Sequence, residues 1–425
     1  MDGSRLVDPD RYAELGYPHV EWAALRRDAP VEFFEPEGWP AFWAVTRHAD
    51  IVEISKDPVR YLNGPGMTYV RHARDAGGDG NPPQMKTIIN KDPPEHRKYR
   101  KIASPYFTPR ALARLDELVA RTARALVDGL GREGECDFIT DIAAQHPLKV
   151  LSSILGIPEE QEPLVLKLTN ELFGSDDPEL ARDSENREEA IRSLFMDFHG
   201  YFSQVIEERR ASPSDDFASI IANAEVDGAP MGPIETMGYC LITFTAGHET
   251  TRGGIGGGML ALIESPEQRR RWAADLSLTP TAIDEIIRYV TPVNHMVRTA
   301  SEDCVLAGRD IKAGDRLVLF YASANRDDAV FETPDELCLD RNPNPHLAFG
   351  IGEHFCLGAH LARKTSGAIF RELVSRLEHV ELVGTPERTA SILVPGLKHL
   401  PIGYRIGPPR LPVAELSTTA VRRAA

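Results

Sequence analysis

Cysteine is scarce in this chain, with five in 425 residues: Cys136, Cys240, Cys304, Cys338 and Cys356. Their odd number and scattered positions lack the paired spacing of a disulfide framework or a zinc site, which suits a reducing compartment. No apolar run is long enough to cross a bilayer. The stretch Met1 to Tyr17 is polar and charged, with no signal-peptide core. The expectation is a soluble, cytoplasmic protein without a membrane anchor. Positive charge is also in deficit. Against 64 Asp and Glu there are 48 Lys and Arg, a net charge of −16, which argues against general nucleic-acid binding. Internal repeats are absent, and no Pro/Gly/Ser-rich linker divides the middle. One domain over residues 1–405 is therefore expected, followed by a frayed tail over 406–425, rich in Pro, Ser, Thr, Arg and Ala. With 42% hydrophobic and 26% charged residues, there is ample material for a core and no sign of general disorder.

What is present reads mainly as helix. Ile191, Leu194, Phe195, Phe198, Phe202, Val205 and Ile206 recur at helical spacing with charges between them, a core-packing stripe. Pro233 to Ile263 is a long apolar helix. Pro280 to Tyr289 is another, with Thr279 as its N-cap and Pro292 beyond its end. Val31 to Phe34 and Phe42 to Thr46 flank a Pro/Gly turn as a small hairpin, and Ala307 to Ala322 carries strand-like pairs around Lys312–Asp315. Ser55 to Asn90, including Ala76-Gly77-Gly78-Asp79-Gly80, reads as a long loop. The sum is a mainly α protein with a minor β region.

Three constellations carry chemistry. Phe349-Gly350-Ile351-Gly352-Glu353-His354-Phe355-Cys356-Leu357-Gly358 sets one cysteine on a glycine-pinned loop ahead of a helix-prone run, Ala359 to Leu377. Unpaired N–H groups at a helix start stabilise a thiolate there, and glycine allows the loop to bend around a flat group. The plain alternative is an ordinary buried cysteine. Thr245-Ala246-Gly247-His248-Glu249-Thr250-Thr251 puts an acid beside a hydroxyl in an apolar helix, costly to bury without a task. Small residues leave room beside it, and the Thr hydroxyls can bond back to the helix carbonyls. Glu285-Ile286-Ile287-Arg288 sets an acid and a base on one helix face. Beyond these, Arg252 is followed by Gly253, Gly254, Gly256, Gly257 and Gly258. Each glycine costs a helix about 1 kcal/mol relative to Ala. This is not a dinucleotide-binding loop, because Met259 stands where the third glycine should be and no strand leads in. Close helix–helix approach or local flexibility is the reading.

The Phe-Gly-x-Gly-x-His-x-Cys-x-Gly loop resembles the haem-binding loop of cytochromes P450, and the likeness extends from Asn90 to Arg405. It implies the P450 fold, a triangular helical prism with a small β-rich lobe. Cys356 would be the axial ligand of haem b, with Phe349, Gly350, Gly358 and Ala246 against the cofactor. His96, Arg100, Arg298 and His354 match the contacts of the haem propionates. Glu249 and Thr250 match the acid–alcohol pair that carries protons toward dioxygen. Glu285, Arg288 and Arg341 match a structural brace beneath the haem; the Phe-Asp pair usual before that arginine is replaced by Leu337-Cys338, which weakens the expected packing or capping of the loop. By family position the substrate pocket draws on Met67, Tyr69, Leu172, Phe173, Ile242, Ala246, Asn294, His295, Leu393 and Val394. The implied activity is insertion of one oxygen atom from O2 into a lipophilic terpenoid, steroid or polyketide-like molecule. No flavin or iron–sulfur motif appears, so NAD(P)H would act only through an acidic ferredoxin and its reductase. The basic stripe Arg97, Lys98, Arg100, Lys101, Arg110 and Arg114 would be the electron-entry face, and the protein would be a monomer. A haem-binding protein without oxygenase activity would not need the acid–alcohol pair, and a peroxide-driven peroxygenase usually lacks it.

Overall fold

In the computed structural model, which describes residues 2–64, 66, 68–69, 87–184 and 186–417, the apolar periodicity becomes long packed helices. Those that frame the interior are α1 (Glu95–Ala103), α2 (Asp116–Gly129), α3 (Gln145–Leu155), α4 (Glu162–Phe173), α5 (Arg187–Ala211), α6 (Pro233–Glu264), α7 (Thr279–Val290), α8 (Ala359–Arg376) and α9 (Val413–Ser417). On α5 the expected stripe is buried at Leu194, Phe198, Phe202, Val205 and Ile206. Helix α6 spans 32 residues and buries most of them, packing against α3, α5, α7 and α8. It opens on Pro233 and ends at Glu264, with Ser265 and Pro266 next, because proline crowds the residue before it out of helical geometry.

The glycines of α6 mark close approach. A Cβ built on Gly258 would lie 2.7 Å from Ile286 of α7 and 2.8 Å from the Phe370 ring of α8. One on Gly257 would lie 2.7 Å from Val290. Close packing is therefore what Gly256, Gly257 and Gly258 serve.

Helix α7 starts one residue earlier than the sequence suggests. Thr279 is its first residue rather than its N-cap: the hydroxyl donates to Leu276 O and accepts from Trp272 Nε1. The far end stops at Thr291, which sits at φ +45° ahead of Pro292. This left-handed angle is unusual for a β-branched residue. It is held by hydrogen bonds from Asn325 to the Thr291 hydroxyl (2.8 Å) and from Tyr17 to its carbonyl (2.6 Å).

The β lobe begins with β1 (Val31–Phe34) and β2 (Phe42–Val45), the expected hairpin, with Val31 opposite Val45. After β3 (Tyr61–Leu62) comes β4 (Glu133–Asp137), then β5 (His295–Ala300) and β6 (Arg316–Phe320). The order β1–β2–β6–β5–β3 makes one sheet. Strands β7 (Leu377–Leu382) and β8 (Pro401–Ile406) join β4 in a second, ordered β7–β8–β4. Residues 406–417, the described part of the tail, are ordered. Ile406 closes β8, Arg124 Nη2 donates to Leu411 O, and α9 buries Leu416 while packing on α2 and α8. The glycine-rich stretch 76–80, Met67 and residues 418–425 lie outside the described residues.

Candidate active site

The Cys356 loop is shaped by its two glycines. Gly350 has φ +66° and Gly352 φ +79°, and a Cβ on Gly352 would lie 2.3 Å from Ser55 O; both the angle and the space require glycine. The turn brings the Cys356 N–H to Phe349 O at 2.9 Å. Burial pushes the Cys356 thiol up, while N–H groups of Gly358 and Ala359 and the charges of Arg100 and Arg363 work in the opposite direction. By surface area Cys356 is exposed, opening onto the space it borders, and such a thiol becomes a good metal ligand once a cation offsets the desolvating protein around it.

Cys356 borders a cavity whose space, counting its mouth, is about 1690 Å³. Phe349, Gly350, His354 and Gly358 border it from the Cys loop, and Ile242, Ala246, Gly247, Thr250 and Thr251 from α6. His96, Arg100 and Arg298 also face it. Thr250 donates to Ala246 O at 2.7 Å, so its oxygen lone pairs remain free to accept. Glu249 does not border this cavity. It is 1% exposed and paired with Arg252, leaving Glu249 Oε2 and Arg252 Nε buried without partners. The sequence held a signal for this pairing, since positions three apart share a helix face.

At the cationic end, the His96 and His354 rings lie 4.1 Å apart. Burial, then His96, Arg298 and Arg100, push the His354 imidazole down to about 3. Its Nε2 is buried without a partner. Arg100 donates to Phe355 O and Arg298 to Val297 O; among the described residues neither has a carboxylate partner. A thiol, two unpaired guanidiniums, an orphaned imidazole nitrogen and a broad space together fit a haem with two propionates.

The expected brace is assembled around Glu285. Glu285 accepts from Arg288 (2.7 and 2.8 Å), Arg341, Asn344 and the Cys338 N–H. Arg288 also donates to the carbonyls of Asn325 and Pro334. Both members of the central pair are fully buried, so every satisfied bond matters. Leu337 is buried and Cys338 supplies its N–H; the loop is tied despite its departure from the family pattern.

The expected substrate wall needs correction. Of its ten residues, only Ile242 and Ala246 border this cavity among the described ones. Asn294 Nδ2 donates to Tyr12 Oη and Ile392 O while its Oδ1 is buried without a partner, and His295 is engaged by Ile392 O and the Tyr69 N–H. Tyr69 donates to Pro40 O, Leu393 O accepts from Asn294, Val394 is buried, and Leu172 and Phe173 end α4 without facing the cavity. Sequence reasoning missed Ile88, Ile89, Val150, Leu151, Thr243 and Met296, which do border it; no local pattern distinguishes such residues from ordinary core.

Comparison with known proteins agrees with this geometry. The cytochrome P450 family model matches residues 40–275 and 271–399. Cytochrome P450-terp of Pseudomonas sp is 38% identical, over 94% of this chain and 96% of that protein. A steroid C26-monooxygenase of Rhodococcus jostii is 36% identical, over 97% and 87%. The crystal structure of CYP108D1 from Novosphingobium aromaticivorans superposes with a TM-score of 0.86 at 37% identity, covering 95% of this chain and 98% of that one. Sequence and fold agree over nearly the whole chain, and on that ground the protein belongs to the cytochrome P450 family of monooxygenases.

Proposed function

We propose that this chain holds haem b through Cys356 and inserts one atom of O2 into a lipophilic substrate, by hydroxylation or epoxidation. The observation that carries this reading is convergence: Cys356, Thr250, Arg100, Arg298, His96 and His354 all border one cavity. Bound there, the haem supplies dioxygen activation and oxygen-atom transfer. Cys356 holds the iron, and the N–H groups of Gly358 and Ala359 stabilise the sulfur's charge. Arg100, Arg298, His96 and His354 hold the propionates. Thr250, its hydrogen engaged by Ala246 O, turns its free lone pairs to the cavity wall, where they accept from and orient a proton-carrying water. Glu249, the neighbouring carboxylate buried with Arg252, takes up protons and passes them toward that water.

The wall made by Ile88, Ile89, Val150, Leu151, Ile242 and Met296 is apolar, which suits a terpenoid, steroid or polyketide-like skeleton. The names P450-terp and steroid C26-monooxygenase among the relatives support the same class. Electrons from NAD(P)H arrive through an acidic ferredoxin and its reductase. The test is spectral. Reduced protein under carbon monoxide gives the red-shifted Soret band of a thiolate-ligated haem, and NADH with a ferredoxin–reductase pair supports turnover. Cys356→His abolishes both. Retention of the band and the activity in that variant would end the reading.

A further inference from the structure

The apolar wall of the cavity is interrupted by a few polar side chains, and one of them carries an atom that nothing among the described residues satisfies. Asn63 follows β3, is 1% exposed and borders the cavity. Its Oδ1 is buried without a hydrogen-bond partner. A buried amide oxygen left alone costs free energy, so it marks a place where a partner belongs. The residue is firmly held. Its N–H donates to Asp92 Oδ1 at 2.7 Å, and the next N–H, of Gly64, donates to Asp92 Oδ2 at 2.9 Å. Its Nδ2 donates to Ile89 O at 3.3 Å, another residue of the wall. That bond sets the amide's orientation, because the flipped amide would set Oδ1 against a second carbonyl oxygen. Asn63 therefore offers a fixed acceptor. Such an atom repels a haem propionate, which calls for cations such as Arg100 and Arg298, and suits a donor instead. Thr243, which also borders the cavity, donates to Tyr239 O, but a hydroxyl can rotate to serve donor and acceptor ligands alike.

We propose that Asn63 Oδ1 accepts a hydrogen bond from a hydroxyl group of the substrate, so that the lipophile selected by this site is an alcohol of the terpenoid or steroid class. The proposal deepens the monooxygenase reading and rests on it. A pocket of this kind takes affinity from its apolar wall and orientation from its few placed polar groups. An alcohol satisfies the orphaned oxygen. A ketone of the same shape brings a second acceptor to it and leaves both unpaired.

Spectral titration of the haem-loaded protein with matched pairs tests this: menthol against menthone, and testosterone against androstenedione. Each pair differs only in a hydroxyl or a ketone at one carbon. In at least one pair the alcohol binds about ten- to a hundredfold more tightly than its ketone, the scale of one buried hydrogen bond made rather than lost. Asn63→Leu, of similar size but without the acceptor, brings the two dissociation constants together. A structural role for Asn63 weakens alcohol and ketone alike and keeps their ratio. An ordered water alone on Oδ1 gives no preference in the parent. Either result, or a parent that binds neither alcohol, overturns the proposal. Should Asn63→Leu not retain haem, Asn63→Ala is read by the same ratio, and the parent's own ratio still decides whether a preference exists. Absence of the red-shifted carbon monoxide band in the parent would instead overturn the monooxygenase reading, before any pair is compared.

Discussion

Thr250 and Glu249 are adjacent in sequence, yet successive helical residues point about 100° apart, and the two side chains meet different surroundings. Thr250 borders the cavity, while Glu249 is buried against Arg252. The motif was legible because its residue types are unusual in an apolar helix. The facing was not, because it depends on what packs around α6. Thr250→Ala is expected to leave haem and substrate binding intact while diverting electrons into hydrogen peroxide. A positioned proton donor contributes about 10²- to 10⁴-fold, an upper scale here because water can partly substitute. Product formed per NADH consumed measures the effect, with Thr250→Ser restoring part of it. Unchanged coupling in the alanine variant would argue that Thr250 has no such part. Cys356 was legible for a different reason: Gly350 and Gly352 carry backbone requirements that the sequence itself displays.

At the scale of elements, proline punctuation made α6 and α7 readable, and a Pro/Gly turn between two short apolar runs made the β1–β2 hairpin readable. Within the tail, the described residues 406–417 are ordered where composition suggested fraying, because composition reports solvation, whereas α9 docks Leu416 on distant helices. The glycines of α6 could be counted but not ranked from sequence, and the structure ranks them. A Cβ on Gly253 or Gly254 would lie 3.6 Å from Pro292, an ordinary contact. Gly253→Ala should therefore stabilise the fold by up to about 1 kcal/mol, the helix propensity gained. Gly258→Ala should cost about 1–3 kcal/mol, as overpacking against the Ile286 methyl and the rigid Phe370 ring does. Urea denaturation of the two holoenzyme variants checks the ordering, and equal effects would refute the packing account.

For the molecule as a whole, the net charge of −16 makes any basic surface a local exception. The sequence displayed the stripe on and after α1 but not how much of it is neutralised. Arg97 pairs with Glu353, Lys98 with Asp227, and Arg114 approaches Asp215 at 3.9 Å. Lys101 and Arg110 are exposed and have no acidic partner among the described residues. Charge reversal at these two should slow reduction by an acidic ferredoxin several-fold at low salt. The effect should fade as ionic strength shortens the screening length below about 8 Å, with peroxide-supported turnover unchanged. Stopped-flow reduction rates that ignore both reversals at every salt concentration would make the stripe an ordinary solvated face. The glycine face of α6 has a wider consequence. With no side chains there to yield, α6 cannot roll about its axis without driving Ile286 and Phe370 into backbone, so it behaves as a keel shared with the helices on either side. Thr250 and Cys356 then keep one spacing whatever molecule enters. Laboratory evolution toward new substrates should collect its gains at Ile88, Ile89 and Met296, and find the keel closed to change.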